Sequence, residues 1–157
     1  MEAFLQSVGN WPGAVMLRES STAYLFVNAA HILGIGLLLG SVLPLDLKLI
    51  GFFRRAPLAV LGPFLLRTAV TGMFIAALAG LWLFSVKPDE YVQNAAFLCK
   101  MVLLILALAN IVFQHRGARY REALHGEANS VQVRLLALVS LCLWLSVLVA
   151  GRWVGFL

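Results

Sequence analysis

An all-α integral membrane four-helix bundle, running up-down-up-down, is the fold this sequence predicts. Three observations carry that expectation. The chain of 157 residues is 62% hydrophobic and 12% charged, with a mean hydropathy of +0.93. Soluble domains carry about 45–50% apolar and about 25% charged residues. Four stretches each hold the roughly 20 mostly apolar residues needed to cross a hydrocarbon core. The connections between them alternate in basic content, which is the charge pattern of membrane topology.

The spans are predicted at 23–45, 61–86, 95–114 and 133–156, within a single transmembrane domain over 1–157. Ahead of them, Phe4, Leu5, Val8 and Trp11 recur at helical spacing, which predicts a short N-terminal interfacial helix. Trp11-Pro12-Gly13 breaks it. The opening residues lack a basic region and a continuous apolar run, so they do not read as a signal peptide. Ser20 and Ser21 supply hydroxyls that can cap the first span. Pro63 falls near the first turn of the second, where a missing N–H does little harm.

Lys48, Arg54 and Arg55 lie between spans one and two, and Arg116, Arg119, Arg121 and Arg134 between three and four. A short segment that includes Lys87-Pro88-Asp89-Glu90 lies between spans two and three. The two basic loops are expected in the cytoplasm and both termini on the opposite side. Trp11, Tyr24, Trp82, Tyr91 and Trp153 then fall near the outer interface, where amphipathic rings prefer to lie. The net charge of +5 is accounted for by these loops, so no nucleic-acid partner is expected. The loop 116–129 is polar with some helical pattern, and its His125 reads as solvated.

Polar residues at depth are the candidates for function, because each is costly in lipid. His31 lies about 12 Å inside the outer end of span one, and Lys100 about 8 Å inside that of span three. Arg152 sits a similar distance inside span four, and no acid within the spans balances these groups. Basic groups facing a bundle interior call for an anionic ligand or a metal. A haem b supplies both, with iron for an imidazole and propionates for Lys or Arg. In this reading His31 is the metal ligand, while Lys100 and Arg152 hold propionates or Lys100 itself ligates iron. Gly34, Gly36 and Gly40 leave room for a flat macrocycle, and Asn28, one turn from His31, completes the site.

Plainer readings stand beside it. Lys100 and Arg152 have the length to snorkel to headgroups. Gly36 and Gly40 form a GxxxG pattern suited to helix packing. His31 can bond a backbone carbonyl or Asn28. A second set, Asp46, Arg67 and His115, lies toward the inner face. An Asp46–Arg67 ion pair is its simplest account, with His115 capping the end of span three. It also leaves open a second cofactor site. Cys99 and Cys142 fall within spans and are expected as buried free thiols. Met16, Met73 and Met101 are too scattered to suggest copper. No CxxC, HExxH, GxSxG or phosphate-loop motif is present, so no enzymatic activity is specified.

The run His31-Ile-Leu-Gly34 through Gly40, ending Asp46-Leu-Lys-Leu-Ile-Gly51, resembles the first-helix motif of an uncharacterised bacterial four-helix inner-membrane family. Asn94-Ala-Ala-Phe97-Leu-Cys-Lys100-Met, with Ala109-Asn110 and Phe113-Gln-His115, resembles that family's third-helix motif. More distantly, the layout is similar to copper-resistance D proteins and to HemJ-type protoporphyrinogen oxidases. The latter resemblance implies a haem-binding bundle with His31 and Lys100 at its histidine and lysine positions, although the fuller first-helix signature is absent. These likenesses imply a multi-pass protein of the bacterial inner membrane with periplasmic termini. The leading expectation is electron transfer or membrane redox chemistry, with a redox partner protein or a quinone. A non-catalytic subunit organising a complex, and a small transporter or metal-handling protein, are the alternatives. Homo-oligomerisation is expected through Gly36/Gly40 and Gly72/Ala76/Gly80.

Overall fold

The computed structural model describes residues 2–52, 58–117, 120, 122 and 130–156. These residues form helices and no strands. Two short helices come first, α1 (Glu2–Gly9) and α2 (Pro12–Glu19). The long helices are α3 (Ser21–Ile50), α4 (Leu58–Phe84), α6 (Ala95–Arg116) and α7 (Val131–Trp153), with the short α5 (Pro88–Gln93) between α4 and α6. All four long helices have the length and apolarity to cross a membrane. This is a multi-pass membrane helical bundle. The helices α1, α2 and α5 lie at one end, termed here the terminal side. The opposite end carries Lys48, Arg116 and Arg134 and is termed the basic side.

The boundaries follow from local chemistry. Ser20 accepts from the amide of Ala23, Asn94 from Phe97 and Ser130 from Val133, so each of α3, α6 and α7 begins at a side-chain cap. Gly51 closes α3 at φ +124°, a conformation that disfavours side chains. Pro12 and Pro88 open α2 and α5, where the absent N–H is harmless.

Four expectations need correction. The N-terminal segment is two helices, because the Trp11-Pro12 break starts a new one. The first span runs on to Ile50, which places Asp46 one turn inside the helix rather than at its end. The second span starts at Leu58, so Pro63 lies within α4 and not at its opening turn. Cys99 and Cys142 are free, as expected, but exposed on their helices. Arg54, Arg55, Arg119, Arg121 and His125 lie outside the described residues.

The bundle packs unevenly. Helix α3 lies tightly along α4 and also against α7, which in turn packs on α6, while α4 and α6 make almost no backbone contact. Side chains bridge that wider seam. Ala69 and Met73 of α4 meet Leu104, Ala107 and Ile111 of α6 around Leu38, Val42 and Trp144. At the terminal side the seam is covered by Phe84, Tyr91 and Phe97, whose ring centroids lie 5.3–6.0 Å apart.

The N-terminal helices are latched over α4. Trp11 Nε1 donates to Ser85 Oγ at 2.9 Å, and Trp82 Nε1 donates to the Gly13 carbonyl at 3.0 Å. Arg18 spans this junction, donating to the carbonyls of Gly9 and Val86. The paired tryptophans expected at the outer interface therefore join two parts of the fold.

Candidate functional site in the helix bundle

The α3–α4 crossing is set by two glycines. A Cβ at Gly34 would lie 2.5 Å from the Ala76 nitrogen and 2.8 Å from the Gly72 carbonyl oxygen. One at Gly72 would lie 2.5 Å from the Leu38 nitrogen and 2.7 Å from the Gly34 oxygen. The two backbones touch, as small residues permit in membrane helices. Gly34 is thus filled by α4 and offers no space for a macrocycle, contrary to expectation. Gly36 and Gly40 have nothing within 4 Å of an added Cβ. They are exposed and take no part in packing within the chain. The Gly72/Ala76/Gly80 face is occupied by α3 and so is not free for a second copy.

This close crossing positions His31. Its Nδ1 lies 2.8 Å from the Ala76 carbonyl oxygen. That oxygen sits opposite the amide of Gly80 in the α4 ladder and has a second lone pair to offer. The ring reaches it because Gly80 has no side chain, since a Cβ there would lie 2.9 Å from His31 Cε1 and 3.2 Å from Nδ1. With Nδ1–H donated to the carbonyl, Nε2 carries the free lone pair. A backbone carbonyl fixes the tautomer of metal-binding histidines in this way. Nε2 has no hydrogen-bond partner among the described residues.

Lys100 lies close enough to His31 to act on it electrostatically. Its side chain crosses α7 at Gly151, with Nζ 3.7 Å from where a Cβ would stand. The half-buried lysine therefore packs on the bundle rather than on lipid alone. The other expected members are elsewhere. Arg152 is exposed and folds back over the Phe156 ring, 4.6 Å from its centroid. Asn28 is half-buried, and the bond from His31 goes to Ala76 instead. Of the residues expected around a haem, His31 keeps a free Nε2 and Lys100 packs on the bundle, while Gly34 is filled by α4 and Arg152 turns to Phe156. No cluster of three or more His, Cys, Asp or Glu gathers among the described residues.

The basic side carries a second polar layer. Asp46 is only 3% exposed, and Arg67 is exposed on the outside of α4. The expected Asp46–Arg67 pair does not form. The hydrogen-bond partner of the carboxyl is instead the Ser140 hydroxyl of α7. Tyr120 packs beside it, and burial, with the carboxyl nearby, holds its phenol above the usual range. His115 is exposed, donates to the Ile111 carbonyl of its own helix at 2.9 Å, and tilts against Tyr120. It lies in the last turn of α6, where a basic group suits the helix end. Sequence reading missed Ser140, Trp144 and the buried Asn110 and Gln114 as a polar layer. Their spacing along α6 and α7, three or four residues, is the signal that places them on one face.

An open apolar groove of about 590 Å³ runs between α6 and α7 toward the terminal side, past Cys99, Ser146 and Trp153. Neither His31 nor Lys100 lines it.

The fold and these sites define a polytopic membrane protein with a histidine seated on a backbone carbonyl in one half and a buried aspartate in the other. The chain belongs to a family of unknown function, DUF6644, whose sequence model matches residues 4–157. No curated protein and no solved structure matches it, and nothing found carries the more distant likeness to HemJ-type oxidases or copper-resistance D proteins.

Proposed function

We propose that this chain is a membrane b-type haem protein with Nε2 of His31 as an axial ligand. The observation that carries the reading is the 2.8 Å contact between His31 Nδ1 and the Ala76 carbonyl, which leaves Nε2 unpartnered. Gly80 fixes the ring plane, and Lys100 supplies positive charge nearby for a propionate. The bound group would supply one-electron redox chemistry, exchanged with a redox partner protein or a quinone. The positive-inside bias supports a bacterial inner-membrane placement with the basic side in the cytoplasm and the termini outside.

The test is an absorption spectrum of the detergent-purified protein, oxidised and then reduced with dithionite. A Soret band with sharp reduced α and β bands is expected, and His31→Ala should abolish it. Colourless protein from cells with ample haem, or full haem retention in His31→Ala, overturns the assignment.

One observation favours a second reading, that of a non-catalytic subunit within an assembly. Gly36 and Gly40 present an open small-residue face on α3 that no helix of the chain covers. Colourless protein that migrates as an oligomer, and falls to monomer in Gly40→Leu, would favour it.

A further inference from the structure

The polar layer of the basic half has no place in the haem reading. We propose that Asp46 is the seat of an exchangeable monovalent cation, a proton or an alkali ion, bound inside the basic half of the bundle. The carboxyl is 3% exposed, and its Oδ2 has no hydrogen-bond partner. A buried carboxylate with a single hydroxyl donor is expensive to leave uncompensated. A basic partner is the usual remedy, and among the described residues none pairs with the carboxyl.

The neighbours from each packed element are accounted for. Arg67 of α4 is exposed, as are His115 and Arg116 of α6 and Arg134 of α7. His115 is engaged with Ile111 and Tyr120. Lys48, on the same helix, has interactions of its own. Tyr120 stays a neutral phenol. Among the described residues, the polar groups on the facing turn of α7 and on the turns either side of it are neutral. Ser140 Oγ faces Asp46. One turn earlier on α7, the Leu136 carbonyl accepts from Asn110 Nδ2 at 3.2 Å. One turn later, the indole Nε1 of Trp144 is buried without a partner. Oxygen donors of this kind suit hard cations. Asp46 lies about 6 Å along α3 from Ile50, nearer the basic side than the terminal side. A cation there neutralises the carboxylate and engages the orphaned oxygen.

The experiment is infrared difference spectroscopy on full-length protein reconstituted in lipid, comparing wild type with Asp46→Asn. One titration varies pH without alkali ions; the other adds Na⁺ or K⁺ at fixed pH. The expected result is the signal of one carboxyl group that responds in wild type and is lost in Asp46→Asn. A response to pH alone identifies a proton, and a response to the salts at constant pH identifies an alkali ion. Identical spectra for both proteins in both titrations overturn the proposal. Should Asp46→Asn fail to fold, Ser140→Ala keeps the carboxyl and removes its donor. Its apparent cation affinity should then change by about tenfold, the scale of a hydrogen bond to a charged group. An unchanged affinity in Ser140→Ala overturns the proposal equally.

Discussion

The two halves of α3 bury their polar side chains by opposite means. Near the terminal side, His31 bonds the backbone of α4; near the basic side, Asp46 relies on a hydroxyl of α7. The difference traces to helix separation. Gly34 and Gly72 let α3 and α4 touch backbone to backbone, which brings a carbonyl within reach of an imidazole. Around Asp46 the bundle is filled by larger side chains, Leu45, Leu49, Leu58, Tyr120 and Val133. Among the described residues no backbone group from another helix bonds the carboxyl, and its Oδ2 stays unpartnered. A buried polar group is satisfied by main chain where glycines allow approach and must find side chains or a ligand where they do not.

The sharpest way to break this comparison is to separate the helices at the glycine crossing. Gly72→Leu places even its Cβ 2.5 Å from the Leu38 nitrogen, and neither backbone can yield locally. The cost should exceed the roughly 1–3 kcal/mol of ordinary overpacking. Loss of a monodisperse peak in size-exclusion chromatography is the expected outcome. Gly36→Leu, two residues from Gly34 but facing open space, should leave the fold of the chain intact. Equal damage from both would show that α3 and α4 do not cross at Gly34.

Smaller in scale, Gly80→Ala leaves the helices together but pushes a methyl against the His31 ring. It should cost about 1 kcal/mol through the lost hydrogen bond. The haem-to-protein ratio should fall with it. A normal ratio and an unchanged Tm would mean that the ring does not depend on that gap.

Outside the bundle, Trp11→Phe removes the indole donor to Ser85 while keeping most of the contact with Trp82. A destabilisation of about 1 kcal/mol is expected. It should appear as faster proteolysis of the first 20 residues with the bundle unaffected. Smallest of all is Glu90→Gln, which deletes the Lys87–Glu90 pair between side chains that are 61% and 68% exposed. Water and salt screen such a pair, so no change in Tm is expected at physiological ionic strength.

Much of the fold was legible from residues. The four spans, the capping of the first at Ser20 and the break at Trp11-Pro12 all follow from hydropathy and local chemistry, whereas the Asn94 cap of α6 was not read. Of the candidate groups, His31 meets the Ala76 carbonyl of α4 and Lys100 packs at Gly151 of α7, whereas the sequence placed each only by its depth along a helix. Depth says nothing of azimuth. Arg152 lies at a similar depth yet turns to Phe156, and Arg67 points outward while Asp46 points in. Gly36 and Gly40 were the more recognisable pattern, but Gly34 makes the contact, because its face of α3 meets α4.

The sequence by itself determined that four long apolar helices form, roughly where they begin and end, and which polar residues lie within them. Each of these depends on neighbours in the chain: hydrophobic length, capping hydroxyls, prolines and basic loops. Only the tertiary structure decided which glycine carries the crossing, that Ala76 receives His31, and that Ser140 rather than Arg67 meets Asp46. Those outcomes depend on the rotation of each helix about its own axis. Packing against the other helices sets that rotation, and the nearly uniform apolarity of these spans leaves little local pattern from which to read it.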